Sequence, residues 1–302
     1  MAAKWIDLLD PTAAELRDAS PRDLEETALE LLLASPKHED EPRPTLQGHG
    51  DYVFGIFLLA RAALEDDCIY YQEVGLVITH DALLTVRKTP PGREPFPIDQ
   101  LRATVRATDA AGMIAYRIVD DIAECYLDLV DDVDAEIDQL EDLVDTQSSQ
   151  KTRERISELR HDLLHIRRTL APMRDAVRRV VDDVVDVQKG KDVFPHDVEV
   201  AFNGAYDKLL RALDGLELSR DLLASVRDYH QSKIANDQNE VMKRLTVVAS
   251  LILLPTFIVG LYGQNFVHLP ELRWHYGYAY SWALIFVTTV LQLIWFRRKN
   301  WL

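Results

Sequence analysis

Asp228, Ala235, Asn239, Met242, Leu245, Ala249, Leu253, Thr256 and Gly260 recur at steps of seven, four, three, three, four, four, three and four, so a helix carries them on one face. The stripe is polar up to Asn239, apolar or small beyond it, and points on to Asn265. The chemistry open to these groups is non-covalent. Asn265 offers a side-chain oxygen, Thr256 a hydroxyl and Gly260 an accessible carbonyl. Such acceptors suit a cation that keeps its own water, as Mg²⁺ does, because Mg²⁺ dehydrates reluctantly. Apolar Met242 and Leu245 could form a constriction that gates by dewetting. On periodicity alone a helix-packing seam is an equal alternative.

The stripe runs into a membrane-like region. Leu245–Tyr262 and Gly277–Phe296 each contain no charged residue. A helix rises about 1.5 Å per residue, so roughly 20 residues cross about 30 Å of hydrocarbon. The second stretch is long enough alone, and the first can be extended by helix on either side. The alternative is a pair of buried core helices, which charged and aromatic flanks make unusual. Neither span holds Asp, Glu, Lys, Arg or His, which argues against a proton relay or a carboxylate site in mid-membrane. Two spans cannot enclose a conduit, but several copies around an axis can.

Orientation follows from Lys243 and Arg244 before the first span and Arg297, Arg298 and Lys299 after the second, which place both flanks in the cytoplasm. Residues 263–276 then form an outer loop. Trp274, Tyr276, Tyr278, Tyr280 and Trp282 sit near the outer interface, and Trp295 and Trp301 near the inner one. Both termini are expected in the cytoplasm, with the chain in the plasma or inner membrane.

The 302 residues carry 50 acidic and 34 basic side chains, a net charge of −16. From Val241 onward six basic residues face Glu271 alone, +5, which leaves −21 for residues 1–240. That acidity disfavours nucleic acid. The N-terminus has no apolar run fit for a signal peptide, and isolated Cys68 and Cys125 suit a reducing compartment.

The elements that must hold the stripe fall into blocks. Residues 1–107 are expected to form an α/β domain. WIDLLD starts like a strand, and Asp23–Leu33 reads as a helix. The apolar runs Tyr52–Ala62, Cys68–Glu73 and Gly75–Val86 read as strands, with turns at Glu65-Asp66-Asp67 and His80-Asp81. Residues 108–192 form an antiparallel helical pair, turning at Thr146-Gln147-Ser148-Ser149, with Pro172 a potential kink. Residues 193–262 form a stalk helix that becomes the first span, followed by the second span, 277–296, and a basic end, 297–302. The fold class is thus an α+β cytosolic domain with a long helical stalk and two transmembrane helices.

Other candidates weigh less. His161 and His165 lie four apart, a spacing that can bind metal, but no third ligand is in view and two solvated histidines are the simpler account. His268 and His275 flank the outer loop as interface residues that could favour a softer ion. The acidic run Asp131, Asp132, Asp134, Glu136 and Asp138 reads as a solvated face. There is no phosphate loop, HExxH or nucleophile elbow, so neither an enzyme nor a cofactor is expected.

The text NEVMKRLTVVASLILLPTFIVGLYGQNF (239–266), LPELRW (269–274), Gly277-Tyr278 and the basic end before Trp301-Leu302 resembles the CorA family of magnesium channels. Arg43-Pro44, DYVFG from Asp51 and LRHDLLHIRRTLAPMRD are similar too. The resemblance implies a homopentameric funnel that carries Mg²⁺, with Co²⁺ or Ni²⁺ as possible further cargo; the expected partners are further copies of the chain, the bilayer and divalent cations. It implies a ring of Gly-Met-Asn motifs at the outer mouth, here Gly263-Gln264-Asn265, with glutamine in place of the middle methionine. The acid of LPEL is Glu271, placed to attract cations. The family's cytosolic sensor carboxylates fall at Gly204, one turn before Asp207, and near Pro36, beside Glu39, Asp40 and Glu41. Either Asp207 and that acidic run rebuild a sensor, or intracellular Mg²⁺ gates weakly. The alternatives in function are Zn²⁺ or other metal transport on the same fold, and a non-conducting membrane-anchored sensor or scaffold.

Overall fold

The computed structural model describes residues 3–34, 44–63, 68–185, 193–264 and 274–301. The chain divides into two compact units, residues 1–227 and 228–302.

The first unit holds one five-stranded sheet. Its strands are β1 (Lys4–Leu9), β2 (Thr45–Gly48), β3 (Val53–Ala63), β4 (Cys68–Ile78) and β5 (Ala82–Arg87), in the order β1-β5-β4-β3-β2. β1 pairs parallel with β5, and the other pairs are antiparallel. Both faces are covered. Phe54, Ile56, Val77, Leu84 and Val86 lie in one core with Leu16 of α1 (Ala13–Ala19) and Ala28 and Leu32 of α2 (Glu26–Leu33). Val53, Phe57, Leu59, Leu76, Ile78 and Leu83 share the other with the long helices. A sheet buried on both sides reads as continuous apolar runs, not alternation.

β4 does not stop at Glu73, where the apolar run suggested an end. The Glu73 carboxylate is nearly fully buried, 2.6 Å from Lys88 Nζ, which also donates to the Leu31 carbonyl at 2.8 Å. Burial raises the Glu73 pKa, and the Lys88 charge opposes that rise. The run Gly75–Val86 divides at His80-Asp81, where Thr79 Oγ1 accepts from the Ala82 amide at 2.9 Å. β2, α1 and the short α3 (Asp99–Thr104) had no clear sequence signal; α1 is closed by a capping box between Thr12 and Glu15.

α4 (Ala111–Leu143) and α5 (Ser149–Val181) follow, and α5 continues through Pro172 as one helix. α4 buries Ile114, Ile118, Ile122, Tyr126, Leu129, Val133, Ile137 and Leu140, the three- and four-residue steps of a single face. The Tyr126 hydroxyl lies 3.0 Å from the Leu58 carbonyl and 2.9 Å from Thr169 Oγ1, joining α4, β3 and α5. α6 (His196–Tyr262) is one helix of 67 residues, and α7 (Gly277–Arg298) has 22.

Glycines mark the tightest approaches. A Cβ on Gly215 would stand 2.9 Å from Val130 Cγ1, and one on Gly112 only 2.4 Å from the Val193 carbonyl oxygen. Backbone cannot yield as a side chain can. Gly112→Ala is expected to destabilise the protein by about 1–3 kcal/mol, read as a lower thermal midpoint of the detergent-solubilised chain. Gly204→Ala, where a Cβ meets nothing within 4 Å, should not lower it.

Candidate ion-conduction site

α6 and α7 are long and apolar enough to cross a membrane, and their apolar segments are almost wholly exposed in the single chain. Buried core helices would be covered, so that alternative is set aside. Between residues 245 and 262 α6 has two distinct sides. On the packed side Val247 is 2% and Ile258 6% exposed, and Gln292 of α7 donates to the Ser250 carbonyl at 3.4 Å. A polar side chain that crosses between helices in an apolar medium holds them in register.

The stripe lies on the other side. Met242, Leu245, Ala249, Leu253, Thr256 and Gly260 are all exposed, Leu253 at 72%. At about 100° per residue their mean direction is about 180° from Val247 and Ile258. Asp228, Ala235 and Asn239 are exposed on the same helix. α6 therefore brings these residues onto one face, and α7 does not cover it. Thr256 Oγ1 donates to the Ile252 carbonyl at 2.7 Å, as Thr246 and Ser250 do to the carbonyls four residues earlier. The lone pairs of Thr256 Oγ1 remain free to accept. A Cβ at Gly260 would meet nothing within 4 Å, so that stretch of backbone is open on the bare side. Pro255 lacks the amide that would bond the Leu251 carbonyl and loosens the ladder there.

Just before the apolar segment of α6, Asn239, Met242 and Thr246 line a cavity of about 400 Å³ with Trp301. Trp301 stacks on Phe296, their ring centroids 5.8 Å apart. Lys243 Nζ donates to Glu240 Oε1 at 2.8 Å, and that bond lowers the Glu240 pKa. Arg297, Arg298 and Lys299 are exposed at the end of α7. At the C-terminal end of α6 the Gly263 amide donates to the Val259 carbonyl at 2.9 Å, closing the helix, and Gln264 is exposed beyond it. Asn265 and Glu271 lie outside the described residues, as do His268 and the acidic run Glu39, Asp40 and Glu41.

In the first unit Gly204 and Asp207 are both exposed on α6. The next residue fastens that helix: Lys208 Nζ lies 2.9 Å from Asp120 and 2.7 Å from Glu124 of α4. Burial works against the Lys208 charge, but hydrogen bonds to the two carboxylates outweigh it and raise its pKa. Asp131, Asp132 and Asp138 are exposed and Asp134 and Glu136 half-buried; Glu136 pairs with Arg155. No group of three or more His, Cys, Asp or Glu suited to a metal occurs among the described residues.

A mixed sheet capped by long helices, with one helix running on into a two-span region whose acceptor-bearing face is bare, is the architecture of a membrane protein. A sequence profile described as CorA-like Mg²⁺ transporter protein matches residues 2–298, and the chain belongs to that family. It is 29% identical to the cobalt/magnesium transport protein CorA of Thermotoga maritima over 265 residues, 86% of this chain and 73% of the relative. It is 25% identical over 302 residues to the cobalt/magnesium transport protein CorA of Methanocaldococcus jannaschii, 99% of this chain and 91% of the relative. The complete structure of the CorA magnesium transporter from Methanocaldococcus jannaschii has the same fold, with a TM-score of 0.80 at 24% identity over 99% of this chain and 91% of the other.

The bare face makes an accessibility pattern. In a chain with Cys68 and Cys125 replaced by alanine, Leu253→Cys and Thr256→Cys should react with a small charged thiol reagent in liposomes and lose most Mg²⁺ flux. Val247→Cys and Ile258→Cys should be protected and keep it. No reaction at Leu253→Cys and Thr256→Cys would leave the stripe as a surface in lipid.

Proposed function

We propose that copies of this chain, five in the expected assembly, gather around an axis in the cell membrane and conduct hydrated Mg²⁺ inward along their α6 helices. Co²⁺ and Ni²⁺ are further cargo, in keeping with relatives named for cobalt and magnesium transport. The observation that carries the proposal is the bare face of α6, which bears acceptors and no charge from Met242 to Gly260, opposite the side packed on α7.

In this assembly Asn265 meets the ion's water at the outer mouth, supported by Gly263 and Gln264, and Glu271 raises the local cation concentration. Gly260 and Thr256 present oxygen along the path. Leu253, Ala249, Leu245 and Met242 line the narrow part, with Met242 and Leu245 as the gate. Asn239 and Asp228 receive the ion below it. Arg297, Arg298 and Lys299 mark the cytoplasmic side, so both termini lie inside. Asp207, with Glu39, Asp40 and Glu41, is the proposed place for cytosolic Mg²⁺ to act between copies. A membrane potential, negative inside, drives a doubly charged ion inward with about 4.6 kcal/mol per 100 mV, so no other energy source is required.

The test is Mg²⁺ flux into liposomes through purified protein. Asn265→Ala should abolish most of it, while Asn265→Gln, which keeps an amide, should retain part. A scaffold or sensor would show no flux in the parent chain, and flux unchanged by Asn265→Ala would remove the selectivity role.

A further inference from the structure

α5 turns Leu159, Leu163, Ile166 and Leu170 into the core and leaves His161 exposed and His165 half-exposed. Four residues apart, the two rings stand one turn above the other. Their Nε2 atoms converge to 3.2 Å, with ring centroids 4.3 Å apart and a tilt of 45°. That separation has a chemical meaning. Imidazole nitrogens bind Zn²⁺ at about 2.0–2.1 Å, so two of them held cis on one ion are about 3 Å apart. The two Nε2 atoms stand at that separation in the folded chain, one turn apart on the same helix. An Nε2–H···Nε2 hydrogen bond gives a similar distance, and the experiment below separates the two.

The neighbours define what such a site can hold. Glu158, one turn before His161, is paired with Arg155 at 3.0 Å. The Arg168 charge acts on His165 and opposes a cation there. With no group of three or more metal-binding side chains among the described residues, water must fill the other positions. Two neutral nitrogens with water do not suit Mg²⁺, which takes oxygen ligands, but do suit the borderline divalent ions of the later first-row metals.

We infer that α5 carries a binding site for one such ion, Ni²⁺, Co²⁺, Zn²⁺ or Cu²⁺, held by His161 Nε2 and His165 Nε2. Along the bare face the proposed conduction path offers oxygen acceptors and no imidazole, and it discriminates poorly among hydrated divalent ions. The histidine pair supplies, outside that path, a point at which Mg²⁺ and the softer cargo are told apart. Its placement in the cytosol rests on the orientation proposed above; the binding itself does not.

The test is calorimetric titration of the tag-free full chain in detergent with NiCl₂ near neutral pH, in excess MgCl₂. One Ni²⁺ per chain should bind and resist Mg²⁺. Linking two ligands on one scaffold strengthens binding by about a hundredfold or more, so His161→Ala and His165→Ala should each weaken it by about that factor. Asn265→Ala should bind Ni²⁺ as the parent does even where its flux is lost, which separates this site from the conduction path. No Ni²⁺ uptake by the parent, uptake abolished by Mg²⁺, or undiminished uptake by both histidine variants would overturn the inference.

Discussion

Everything about the membrane unit depends on α6 having two unlike sides. A helix in lipid satisfies its own backbone, so an apolar surface there is under no pressure to be covered. Packing must then come from specific contacts, and on α6 these collect on one side, around Val247, Ile258 and the Gln292–Ser250 hydrogen bond. The opposite side carries a glycine with open space over it and a threonine with accepting lone pairs. In the proposed assembly both would stand beside water and a cation. On that reading the asymmetry ties the packing of two helices within one chain to the presence of further chains.

The first unit shows the complementary economy. There the helix is fastened by burial, through the face that includes Phe202, Ala205, Leu209, Ala212 and Leu216, and by the Lys208 pairs to Asp120 and Glu124. Gly215 lets it come close to Val130 of α4. Water surrounds this unit, so the hydrophobic effect and half-buried ion pairs can be used together, as they cannot in the span. One element is therefore built by two sets of rules along its length. The sequence marks the change at Lys243-Arg244, after which charge disappears until Glu271.

Much of the fold was legible because its signals were long. α4 and α5 show their buried faces over many turns, and the spans declare themselves by the absence of charge. The sheet was legible in content and less so in boundaries. Strands covered on both faces give no alternation, so the only punctuation in Gly75–Val86 is His80-Asp81. Glu73 looked like an end because an isolated carboxylate is not expected inside a sheet, and nothing local announces that Lys88 will meet it. α1 is seven residues long, too short for periodicity to show. At the candidate site, spacing alone left the stripe divided between a packing seam and a path. Exposure in the folded chain excludes a seam with α7, a long-range fact that spacing does not contain. Likewise the four-residue interval of His161 and His165 gave proximity, and only the side-chain geometry gave the 3.2 Å approach of their Nε2 atoms.

The hydroxyl of Thr256 spends its proton on the Ile252 carbonyl. What it turns outward is therefore electron density alone. A chloride ion entering a ring of such groups would find nothing to donate to it. In the proposed assembly, rejection of anions would need no fixed negative charge in the bilayer, nor the cost of holding one there.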